Sequence, residues 1–76
     1  MIEFQMILSS INDVKDFVNT VSRYDFEVAL ISGRYIVDAK SIMGIFSLDL
    51  SKPIDVQIHA DDASEFMSQI DSFIVK

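Results

Sequence analysis

Ala39-Lys40-Ser41-Ile42-Met43-Gly44-Ile45 marks the point where an extended run gives way to a short, very apolar, helix-like run. Serine is a favoured N-cap residue, because its hydroxyl accepts a hydrogen bond from an orphan N–H of the first turn. Ser41 is therefore expected to open a helix that runs on to Leu48. Ile42, Met43, Ile45 and Phe46 point around most of the helical circle. A helix that is apolar all round must be buried on every side, and a short one in a small domain cannot be. Part of this segment is expected at the surface, where an apolar patch signals a partner. Met43 and Phe46, three apart, share one face, and Ile42 and Ile45 fall on another; the spacing leaves open which pair is exposed.

Working back from Ser41, Tyr35 to Ala39 reads as a strand, and Ser32-Gly33 as the two-residue turn of a hairpin. Phe26 to Ile31 is the strand before it, with Phe26, Val28 and Leu30 on one face. Earlier still, Ile11, Val14, Phe17, Val18 and Val21 recur at helical spacing, and Ser10-x-x-Asp13 has the form of a cap. Ile2 to Leu8 alternates as a first strand. Working forward, Asp49 to Pro53 is a loop, and Ile54, Val56 and Ile58 alternate with Asp55, Gln57 and His59 in a fourth strand. Asp61-Asp62 opens a last helix carrying Ala63, Phe66, Met67, Ile70, Phe73 and Ile74, with Asp62-x-x-Glu65 as its cap.

The order is β-α-β-β-α-β-α. It predicts an α+β open-faced β-sandwich: a four-stranded antiparallel sheet with three helices on one face. The expected core is Phe4, Val14, Phe17, Val18, Val28, Leu30, Val56, Ile58, Phe66, Met67 and Ile70. Residues 1–76 read as one domain.

Twelve acidic residues against six basic ones give a net charge of −6. That argues against nucleic-acid binding, which needs clustered Lys and Arg, and against attraction to anionic lipid. There is no cysteine, hence no disulfide or thiolate metal site, which suits the cytoplasm. No apolar run has the length of a membrane span, and the N-terminus has no signal-peptide pattern. No cofactor or metal is expected, because no Gly-rich phosphate loop is present and the single histidine, His59, alternates onto the outward face of a strand.

Ala39-Lys40-Ser41-Ile42-Met43-Gly44 resembles the regulatory-serine segment of HPr, the small phosphocarrier of the bacterial sugar phosphotransferase system. Length and element order agree with that family. The resemblance implies an open-faced sandwich and a cytoplasmic setting. It marks Ser41 as a candidate regulatory phosphorylation site.

HPr carries its phosphoryl group on a histidine at the start of the first helix, in a loop of the form Gly-Leu-His-x-Arg-Pro. Aligning Phe17-Val18 with the family's first helix puts Ser10 near the histidine, Asn12 near the arginine and Asp13 where proline would be. The loop Leu8 to Val14 has no histidine, arginine, proline or glycine. Ser10 and Asn12 thus stand as a degenerate phosphocarrier site, since a phosphoserine ester is far less labile than a phosphohistidine. The resemblance leads to a non-catalytic, regulatory HPr-like domain, similar in its missing histidine to the family's catabolite-repression paralogue. It would bind protein partners, an HPr-type kinase or a transcription regulator, through Ile42, Met43, Ile45 and Phe46. A phosphocarrier with an altered site, and a homo-oligomeric structural module such as a homodimer, are the alternatives.

Overall fold

The structure is a computed structural model that describes residues 1–75. Four strands form one antiparallel sheet: β1 (Ile2–Met6), β2 (Glu27–Ser32), β3 (Tyr35–Asp38) and β4 (Ile54–His59), in the spatial order β1-β4-β2-β3. Helices α1 (Ile11–Val21), α2 (Ile42–Phe46) and α3 (Ser64–Gln69) cover one side of it. This is the open-faced α+β sandwich that the alternation of the strands implies.

Register decides which side is covered. Val28 stands opposite Ile58 and Leu30 opposite Val56 on the central pair, and all four side chains are buried. Their neighbours Glu27, Asp55 and His59 consequently face water, because successive strand residues point to opposite faces. Phe66 packs against Phe17, Tyr24 and Phe26, with ring centroids 5.2–6.2 Å away. Such tilted and edge-on contacts suit the ring quadrupoles and tie α1 and α3 to the sheet. The core also takes Met6, Leu8, Val21, Ala39, Ile45, Leu48, Ile54 and Ala63, while Phe4, Val18 and Met67 are only partly buried.

Several details differ from the sequence reading, among them the end of α2 at Phe46 rather than Leu48. The first strand stops at Met6 rather than Leu8, yet Leu8 still turns inward and is buried. The hairpin turn is Gly33-Arg34 instead of Ser32-Gly33; Gly33 has φ of 60° and no other described residue has positive φ, the pattern of a type II′ turn. The first residue of α1, Ile11, is exposed and does not join the core stripe. The last helix ends at Gln69 instead of running through Ile74. Beyond it, a 3₁₀ turn (Asp71–Phe73) carries the chain to the free edge of β1.

There the N–H of Ile7 donates to the carbonyl of Phe73 at 2.8 Å, and the N–H of Val75 to that of Gln5 at 2.9 Å. An edge strand leaves backbone groups to be satisfied, and pairing with them outweighs continued helix. The expected Asp62 cap is also displaced. Ala63 occupies the N-cap position without a side-chain bond, and Asp62 instead accepts from the N–H of Ser64 at 3.0 Å. That bond holds the Asp62 carboxyl below its ordinary value.

Phe66 touches three other rings, so its removal cannot be repaired by local collapse. Phe66→Ala or Phe17→Ala is expected to cost about 3–5 kcal/mol, read as a lowered urea midpoint, and to leave little residual stability in so small a chain.

Candidate functional site

Ser41 does what its type dictates. It has extended backbone angles, and its Oγ accepts from the N–H of Gly44 at 3.2 Å. The helix it starts has five residues, too few to stand alone. Burial of Ile45 and Leu48 pins α2 to the core, and Ile42 is half-buried beside them. The opposite face is left outside: Met43 is 77% exposed and Phe46 40%. Of the four apolar residues expected to meet partners, Met43 and Phe46 are therefore presented, and Ile45 is withdrawn into the core. A Cβ on Gly44 would come within 3.1 Å of the Ser41 Oγ and 3.3 Å of the Val37 Cβ, so a glycine lets α2 lie close on β3.

The start of α1 is built in the same way. The Ser10 Oγ accepts from the N–H of Asp13 at 3.1 Å. The Asp13 carboxylate reaches back and accepts from the N–H of Ser9 at 3.1 Å and from its hydroxyl at 2.9 Å. These bonds, led by the backbone N–H of Ser9, pull the Asp13 carboxyl below its ordinary value. A negative charge thus already occupies the positive end of the α1 dipole. Asn12 lies exposed in the first turn.

α1 and α2 meet at these ends. A shallow depression of about 390 Å³ lies between them, lined by Leu8, Ser9, Ser10, Ile11, Phe46, Leu50 and Ser51. No charged side chain lines it. The fold thus joins two features that the sequence shows separately, Ser10 and Phe46, across one apolar surface. Ser41 lies at the other end of α2, outside the depression. Ile11, 62% exposed, is the surface residue that sequence reasoning missed. Its spacing to Val14 placed it on the apolar stripe of the helix, and nothing local marks it as exposed.

His59 is remote from all of this. It is exposed on the outer face of β4, opposite Glu27. The β1–α1 loop leaves the sheet beside Ile54, which pairs with Met6. His59 is at the far end of that strand, roughly 17 Å away at the ordinary rise per residue. Among the described residues no group of three or more His, Asp or Glu is placed to hold a metal ion, and no helix is long and apolar enough to cross a membrane.

The family model described as "PTS HPr component phosphorylation site" matches residues 13–76. The chain belongs to the PTS HPr family. Solved structures agree. HPr-C-His from Thermoanaerobacter tengcongensis is 25% identical, with a TM-score of 0.78 over 95% of this chain and 89% of that one. The phosphocarrier protein HPr from Bacillus anthracis is 22% identical, with a TM-score of 0.73 over 97% and 96%. A histidine-containing phosphocarrier protein from Mycoplasma is 17% identical, with a TM-score of 0.75 over 93% and 89%. The HPr match begins at Asp13, after the Ser9–Asn12 segment that opens α1.

Two outcomes test this geometry. Ser41→Ala should cost about 1 kcal/mol, seen as a lower thermal midpoint with an unchanged fold. The Asp13 carboxyl is lowered in the folded chain, so its contribution is present above the unfolded pKa and is lost as pH falls through the folded value. Carbon-detected NMR titration should place Asp13 below a typical aspartate, and Ser9→Ala should move it back up.

Proposed function

We propose that this chain is a non-catalytic HPr-like domain that binds protein partners through α2 and the start of α1, and that it passes no phosphoryl group through a histidine. One observation carries the reading. Ile11 and Phe46, both exposed, line one depression at the point where the first helix begins, and Met43 is exposed one turn before Phe46 on α2. A phosphoryl relay needs a nucleophile with a labile product and cations to hold the phosphate oxygens. The α1 start offers Ser10, whose oxygen is engaged as a cap, Asn12, and an acidic Asp13. His59 lies at the other end of β4 and on the other face. The setting that fits the family is the bacterial cytoplasm, with an HPr-type kinase or a transcription regulator as partner.

Ser41 is the candidate control point. Phosphate there would add negative charge at the start of the helix that presents Met43 and Phe46, and would change which partners fit.

The test uses labelled phosphoenolpyruvate with Enzyme I of the phosphotransferase system, on the parent chain and on His59→Ala. The expected result is no acid-labile label on either. Acid-labile label on the parent that disappears in His59→Ala would overturn the reading. ATP and an HPr-type kinase are expected to label Ser41 as an acid-stable ester, with Ser41→Ala unlabelled.

A further inference from the structure

The outer face of the sheet plays no part in the α2 surface, and its residues are sorted by charge. Among the described residues the basic ones, Lys15, Arg23, Arg34, Lys40 and Lys52, all lie outside the four strands, in α1, turns and bends. The strands bring Glu3, Glu27, Asp38 and Asp55 to the outer face, with His59 as the one other titratable group among the described residues there.

Register arranges them in rows. Asp55 pairs with Ile31, which pairs with Ile36; in the next row Gln57 pairs with Ala29, which pairs with Asp38. Ala29, Ile31 and Ile36 thus form an apolar patch across β2 and β3, and Ile36 is 71% exposed. Asp55 borders it on one side, Asp38 on another, and Glu27 lies two residues along β2. Asp55 accepts from the Gln5 side chain at 2.9 Å and Asp38 from the N–H of Lys40 at 2.9 Å, so both carboxylates are held in place by donors that add no positive charge.

Two shallow depressions adjoin the patch at Ile31 and Asp55. A depression of about 320 Å³ takes in Glu3, Gln5, Ile31, Asp55 and Gln57. It shares Ile31 and Asp55 with a second, of about 500 Å³, at the hairpin, where Arg34 and Lys52 stand with Asp49.

An exposed apolar patch rimmed by polar groups marks a protein contact, and the sign of the rim says what kind. A second copy of this chain would set carboxylate against carboxylate. We propose that the outer sheet face docks an extended segment of a basic protein, an apolar side chain seated on Ala29, Ile31 and Ile36 and flanking Lys or Arg reaching Asp55, Glu27 and Asp38. In an extended segment alternate side chains point the same way, so a basic–apolar–basic pattern meets a face whose own side chains stand in rows. This surface is on the opposite side of the sheet from α2, so it stands or falls independently of the helix reading.

The test is an amide chemical-shift titration with two capped peptides, Lys-Leu-Lys-Leu-Lys and Glu-Leu-Glu-Leu-Glu. The lysine peptide is expected to shift residues of β2, β3 and β4, and to bind about tenfold more weakly when salt is raised enough to screen surface charges. The glutamate peptide is expected to shift nothing. Ile36→Ser and Asp55→Asn are both at exposed positions, and each is expected to weaken binding about tenfold, near 1.4 kcal/mol. Absence of shifts, equal binding of the two peptides, shifts centred on α1 and α2, or unchanged affinity in both variants would each overturn the proposal.

Discussion

The register of β2 against β4 is the constraint on which the rest depends. It places Val28 on Ile58 and Leu30 on Val56, and with them the buried side of the sheet. A slip of β2 by one residue would turn Val28 and Leu30 outward and bring Glu27 into the core. Burying carboxylates without partners is costly enough to forbid that arrangement. The same alternation that builds the core therefore lays an acidic, ridged surface on the other side. One physical rule fixes both the platform for the helices and the face the helices leave bare.

α2 shows how a small fold leaves one face of a short apolar segment exposed. A five-residue helix gains little from its own hydrogen bonds. The Ser41 cap satisfies one orphan N–H, Gly44 allows close approach to β3, and Ile45 is drawn inside. With Ile45 inside, helical geometry leaves Met43 and Phe46 outside. Their exposure follows from the anchoring of the helix. Methionine is well suited to such a position, because its flexible thioether adapts to more than one partner shape.

Much of this was legible in the sequence, for a reason that can be stated residue by residue. Period-two runs such as Ile54 to His59 and capped amphipathic runs such as Ser10 to Val21 carry their structure locally. So do the Ser10 and Ser41 caps and the outward His59. What was not legible depends on distant parts of the chain. The end of α3 is set by the free edge of β1, which draws in Phe73 and Val75. The choice between Met43 and Ile45 is set by the docking of α2 on β3. The turn shifted by one residue because the glycine took the positive-φ place that a type II′ turn demands, a signal that was present and misplaced.

The chain belongs to the PTS HPr family, and the start of α1 carries Ser10, Asn12 and Asp13. Capped serines and a lowered carboxylate suit a helix end, and an apolar depression beside them suits a protein. The central claim is that Met43, Phe46 and Ile11 form the partner surface. The most direct measurement maps amide chemical shifts of the labelled chain on addition of an HPr-type kinase, for the parent and for Phe46→Asp. The account predicts shifts confined to Ser10–Ile11 and Met43–Leu50, and their loss in Phe46→Asp with the rest of the spectrum unchanged. Shifts centred elsewhere, or undiminished binding by Phe46→Asp, would contradict it.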